Sequence, residues 1–125
     1  MAANKANKFS LLFFLIYWLP VALYAIIIFS VSSIPGEAIP YVFSFQDVVF
    51  HIIEYAIFAF LLNRAFKAQF PAYGYARRVK WVFLLIALYA LTDEFHQSFT
   101  PERYSSLTDV AFDMTGVLLT NIFYR

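Results

Sequence analysis

His51 and Glu54 stand three residues apart, a spacing that sets both side chains on one face of a helix, with Tyr55 beside them. Asp93, Glu94, His96 and Gln97 form a second polar group, in which Asp93 shares a face with His96 and Gln97 at spacings of three and four. Asp109, Asp113, Gly116 and Thr120 follow one another at four, three and four, marking a narrow polar and small face that suits close helix packing. Imidazoles among carboxylates suit general acid-base chemistry, proton coupling or the holding of a divalent ion, and helix-borne Glu and His at three-residue spacing build metal sites in bundles. No complete metal motif is present, because H-x-x-E is shorter than H-E-x-x-H, so a divalent metal stays open beside the metal-free readings. For proton transfer the candidates are His51, Glu54, Asp93 and Glu94. Arg103 offers a forked donor for a phosphate or carboxylate, assisted by Ser105, Ser106 and the helix start that follows; anchoring Asp109 is its plainer role.

The elements that carry these residues are read from hydropathy. The chain has 125 residues, 62% apolar and only 14% charged, against about half apolar and a quarter charged in soluble domains. Residues 9–29 form an uncharged apolar run long enough to cross roughly 30 Å of hydrocarbon. That run is too long for a signal-peptide core and no small-x-small cleavage site stands out before Pro35, so it is expected to be retained. Three further apolar stretches reach spanning length only by admitting polar residues at one end. The expected architecture is all-α: one domain over residues 1–125, a polytopic membrane bundle of four helices at about 9–29, 46–66, 79–99 and 106–124. Loops follow at 30–46, 67–80 and 100–106, marked by Pro35, Gly36, Pro40, Pro71 and Gly74. Pro20 should bend the first helix by removing one backbone hydrogen bond, leaving a carbonyl for a neighbour or water to satisfy.

Charge placement sets the expected orientation. Of nine lysines and arginines, all but Arg103 lie before the first helix (Lys5, Lys8), around the second loop (Arg64, Lys67, Arg77, Arg78, Lys80) or at the end (Arg125), which puts both termini in the cytoplasm. Helix 2 then starts outside, helix 3 ends outside and helix 4 starts outside, so the polar groups gather in one outward layer. His51, His96 and Asp109 lie roughly 5 Å in, and Glu54, Asp93 and Asp113 roughly 10 Å in, at about 1.5 Å per residue. Ionisable groups in lipid are costly and mark a functional site by default. The plainer reading, interhelical hydrogen bonds that only lock the bundle, needs fewer groups than these. Glu102 reads as a solvated loop charge and Asp47 as a helix cap. A net charge of +1 gives no basis for nucleic-acid binding, and the absence of cysteine excludes disulfides and thiolate chemistry.

H51-x-x-E54-Y55, D93-E94-F-H-Q97 and R103-x5-D109-x3-D113-x2-G116 together resemble the VanZ-like membrane proteins, from about Ser32 to Gly116. The resemblance implies a compact multi-helix protein of the bacterial inner membrane, in a family named for a component of glycopeptide-resistance clusters linked to teicoplanin susceptibility. It does not settle an activity. Three functions fit these residues. In the first, a pocket of His51, Glu54, Asp93, Glu94, His96, Gln97, Arg103, Asp109 and Asp113 recognises the polar head of an extracytoplasmic amphiphile, a membrane lipid or lipid-linked cell-wall intermediate. In the second, it is a membrane hydrolase or transferase using the acidic and histidine cluster. In the third, the chain is a regulatory subunit that meets a membrane-protein partner.

Overall fold

A computed structural model describes residues 10–125, so Lys5, Lys8 and the expected helix start at residue 9 lie outside the described residues. Four long helices run through them: α1 (Leu11–Ser32), α2 (Gln46–Gln69), α3 (Tyr75–Gln97) and α4 (Leu107–Phe123), with a single 3-10 turn, Gly36–Ala38, after α1. The fold is all-α, as the hydropathy pattern predicts. α1 and α2 are both long and apolar enough to cross a membrane; 22 residues of α1 span about 33 Å. α3 carries Arg77, Arg78 and Lys80 near one end and Asp93 and Glu94 near the other, and α4 has 17 residues.

The helix ends depart from the expected ones where charged residues were read as loop. α2 continues to Gln69 and α3 begins at Tyr75, so Lys67, Arg77, Arg78 and Lys80 ride on helices and the second loop shrinks to residues 70–74. The breakers there are Pro71 and Gly74, the latter extended at the start of α3. Long basic side chains extend their charge away from an apolar helix without ending it.

The carbonyl that Pro20 leaves without a donor has a specific partner on another helix. Pro20 has no N–H for the carbonyl of Ile16, four residues back, and the guanidinium of Arg64 on α2 donates to that carbonyl. Just before it the helix widens into a π-turn over Phe14–Trp18, where the Leu19 N–H reaches back to the Phe14 carbonyl.

Packing is centred on α2. Tyr55, Ala59, Val82, Ile86, Ala90 and Val117 are fully buried between α2, α3 and α4, with Ile28 of α1 closing the core. α4 lies hard against α2 at Gly116, where a Cβ would come within 2.2 Å of the Ile52 carbonyl oxygen and 2.9 Å of the Ala56 nitrogen. One turn on, Thr120 Oγ1 donates to the Ala56 carbonyl at 2.9 Å. The small and polar face read from the sequence of α4 is therefore its contact with α2.

Polarity is inverted relative to a water-soluble domain. Large apolar side chains such as Leu23, Ile26, Phe60, Leu88, Leu118 and Ile122 face outward, while Asn63, Arg78, Asp93, Glu94, Asp113 and Asn121 are buried. Exposed apolar surface on that scale requires an apolar surrounding.

Candidate functional site

The polar groups sit at the end of the bundle where α2 and α4 begin and α3 ends, opposite the end that carries Arg64, Lys67, Arg77, Arg78 and Lys80. His51 on α2 is half-buried, and its Nδ1–H donates to Oδ1 of the fully buried Asp113 on α4 at 2.7 Å. This is the one ion-pair contact among the described residues. The close approach at Gly116, one turn along α4, brings the two helices near enough for it. With Nδ1 committed to Asp113, Nε2 is the ring nitrogen left to accept a proton or ligate.

Glu94 near the end of α3 is 5% exposed; one carboxylate oxygen accepts from the Ser106 N–H at 3.1 Å, and the other, Oε1, has no hydrogen-bond partner among the described residues. Ser106 precedes α4 as its cap: its Oγ accepts from the Asp109 N–H at 3.2 Å and donates to Asp109 Oδ2 at 3.0 Å. His51, Glu94 and Asp109 each offer one ligand atom in a set whose members lie within 4.8 Å of one another. These are the residues suited to hold a metal. Asp93, also buried, stands apart from that set, accepting from the Tyr55 hydroxyl at 3.3 Å.

Two cavities open at this end. One, of about 390 Å³, has apolar walls including Ile28, Ile34, Phe50 and Ile53, with His51 and Glu54 in its lining. The second, of about 280 Å³, is polar and lined by residues including Asp47, Glu102, Tyr104 and Asp109. Ile39, Asp47, His51, Gln97 and Arg103 line both, so the cavities adjoin along that wall.

The expected site residues thus divide by place. His51, Glu54, Gln97, Arg103 and Asp109 reach the cavities, whereas Asp93, Glu94 and Asp113 lie among the packed helices behind. His96 joins neither group: its Nε2 meets Ser33 Oγ at 2.8 Å and its ring stacks on Phe29 at 4.1 Å, tying α3 to the end of α1. Arg103 does not anchor Asp109. Its Nη2 donates to the Val31 carbonyl at 3.4 Å, and its Nε is buried without a partner among the described residues.

Three features were missed in the sequence. Asp47, read as a cap, lines both cavities, and no side-chain capping bond is made at the start of α2. Glu102, read as a solvated charge, adopts a left-handed backbone (φ 57°), and its carbonyl oxygen would lie 1.9 Å from a Cβ at Gly36. That fit, with the Gly36 N–H to Pro101 carbonyl bond of 3.0 Å, locks the first and third loops together over the site. At the opposite end, Asn63 Nδ2 donates to Asn121 Oδ1 at 2.7 Å and buried Arg78 donates to Asn63 Oδ1 at 3.2 Å. The signal for Asn121 was its position eight residues, or two turns, after Asp113 on the same helix face.

A family model described as VanZ/LLP1 matches residues 4–125 of the chain. Neither a curated protein nor a solved structure matches it.

Proposed function

The chain belongs to the VanZ/LLP1 family, generally membrane proteins, and from that premise we propose that it is a multi-pass protein of the bacterial cytoplasmic membrane that binds an anionic amphiphile from the outer side. The observation that carries this reading is the adjoining pair of cavities: apolar walls for an acyl or prenyl chain, a polar chamber for its head group, and Arg103 in the lining of both. Arg103 has no carboxylate partner among the described residues, so its guanidinium is available to a phosphate or carboxylate head. All four helices span, and the basic end of the bundle faces the cytoplasm with both termini, which turns the cavities outward. A membrane lipid or a lipid-linked cell-wall intermediate has the required shape, and such a ligand is also where a link to glycopeptide susceptibility would arise.

The test is equilibrium binding of a fluorescent short-chain phosphatidate to protein reconstituted in nanodiscs of neutral lipid. Losing a hydrogen bond to a charged group costs about 1.5–3 kcal/mol, so Arg103→Ala should weaken binding roughly 10–100-fold. Binding of the matching diacylglycerol, which lacks the phosphate, should not change. Equal phosphatidate affinity in wild type and Arg103→Ala would refute the reading.

A second reading, a membrane hydrolase or transferase, is favoured by one observation, the Asp113–His51 pair, which orients an imidazole beside the cavities as a general base requires. Ser106 is committed as the α4 cap, so the nucleophile in that case is water. Release of inorganic phosphate or diphosphate from lipid phosphates by the purified protein, abolished in His51→Gln, would establish it.

A further inference from the structure

We infer that His51, Glu94 and Asp109 form a binding site for one divalent transition-metal ion, with an open coordination position facing the polar cavity. The inference stands independently of any amphiphile, because it rests on the side chains alone. Three helices each supply one ligand, and the three ligand atoms already lie within 4.8 Å of one another. Tetrahedral zinc, with bonds of about 2.0–2.2 Å, sets ligand atoms about 3.3–3.6 Å apart, a contraction that side-chain torsions can supply.

Each ligand is steered by an outer hydrogen bond of the kind that accompanies metal sites. Asp113 takes the Nδ1–H of His51 and leaves Nε2 to ligate. Ser106 holds both carboxylates at once, through its N–H to Glu94 Oε2 at 3.1 Å and its hydroxyl to Asp109 Oδ2 at 3.0 Å. The strongest pointer to a cation is Glu94 Oε1, an oxygen of a carboxylate 95% buried, with no hydrogen-bond partner among the described residues. A buried carboxylate oxygen without a donor is costly, and no lysine or arginine among the described residues pairs with it. A bound cation supplies the missing partner.

One imidazole and two carboxylates suit Zn²⁺ or Mn²⁺; calcium prefers six to eight oxygens. Three protein ligands leave a further position for water or substrate, as in sites where zinc acts as a Lewis acid. Because His51 and Asp109 line the polar cavity, that position faces whatever occupies it. The ion would also neutralise carboxylates that otherwise repel an anionic head group.

The experiment is Zn²⁺ and Mn²⁺ binding to detergent-purified full-length protein, followed by calorimetry and by metal analysis after gel filtration. The expected result is one ion per chain, with affinity reduced at least about tenfold in Asp109→Asn and in Glu94→Gln, and about 10–100-fold in Asp113→Asn, which touches no metal but frees the His51 ring. Asp109 is half-exposed and its replacement nearly isosteric, so that variant keeps the test open if Glu94→Gln fails to fold. Glu37→Gln, in the first loop, should bind as wild type does. Absence of a retained ion in wild type, unchanged affinity in Asp109→Asn, or an equal loss in Glu37→Gln would each overturn the inference.

Discussion

His51 belongs to two arrangements at once: its Nδ1 is fixed by Asp113 and its ring borders both cavities. Its replacement should therefore do more than remove a charge. In His51→Leu, Asp113 keeps its place in the core with neither oxygen bonded, and breaking a buried pair from one side costs about 3–5 kcal/mol. The double variant His51→Leu, Asp113→Leu removes both partners and should recover most of that loss, which thermal unfolding in a fixed detergent would show. A double variant no more stable than His51→Leu would mean the pair is not coupled. The sequence made the meeting of histidine and carboxylates legible, because three- and four-residue spacings fix which side chains share a helix face. Partners were not legible. His51 and Glu54 share a face and line one cavity, yet His51 bonds Asp113, a choice made by how closely α4 approaches α2. Ser106 was placed beside Arg103 at the helix start, and its simultaneous hold on Glu94 and Asp109 depends on where α3 ends.

Gly116 and Pro20 each bear on a contact between neighbouring helices. A methyl group at Gly116 would overlap the α2 backbone, which cannot swing aside as a side chain can, so Gly116→Ala should separate α4 from α2 and cost about 1–3 kcal/mol. The displacement would also lengthen the His51–Asp113 contact, so the melting temperature and the ligand affinity should fall together. Loss of stability with unchanged affinity would place the site's integrity elsewhere. At Pro20 the bond from Arg64 to the Ile16 carbonyl matters only while Pro20 withholds its own N–H. Arg64→Ala should thus destabilise the wild-type chain by about 1 kcal/mol and the Pro20→Ala chain by less, a coupling that a double-mutant cycle measures. The unpaired carbonyl was legible from the donor that Pro20 lacks; its partner on another helix was not. Helix existence was likewise clear from apolar runs, but the ends of α2 and α3 were not, because a basic residue looks the same on a helix end as in a loop.

Seen whole, the molecule has apolar side chains outside, polar ones inside, basic groups concentrated at one end and the carboxylate-rich cavities at the other. The inverted polarity was legible in composition, whereas the Asn63–Asn121–Arg78 network was hidden because Arg78 counted as one more loop charge. The chain lacks cysteine, so single cysteines report orientation without background. Glu37→Cys, in the first loop, should react with a membrane-impermeant maleimide in intact cells, and Ala72→Cys, in the second, only after permeabilisation; the reverse pattern would turn the cavities to the cytoplasm. Amphiphile binding is tested most directly by native mass spectrometry of protein released gently from its own membrane, with wild type compared against Arg103→Ala and Ala38→Trp. Arg103→Ala removes the cation shared by both cavities, and Ala38→Trp fills the apolar one. Wild type should retain an anionic amphiphile, and both variants should lose it. The same bound lipids in all three proteins, or none in wild type, would contradict such binding.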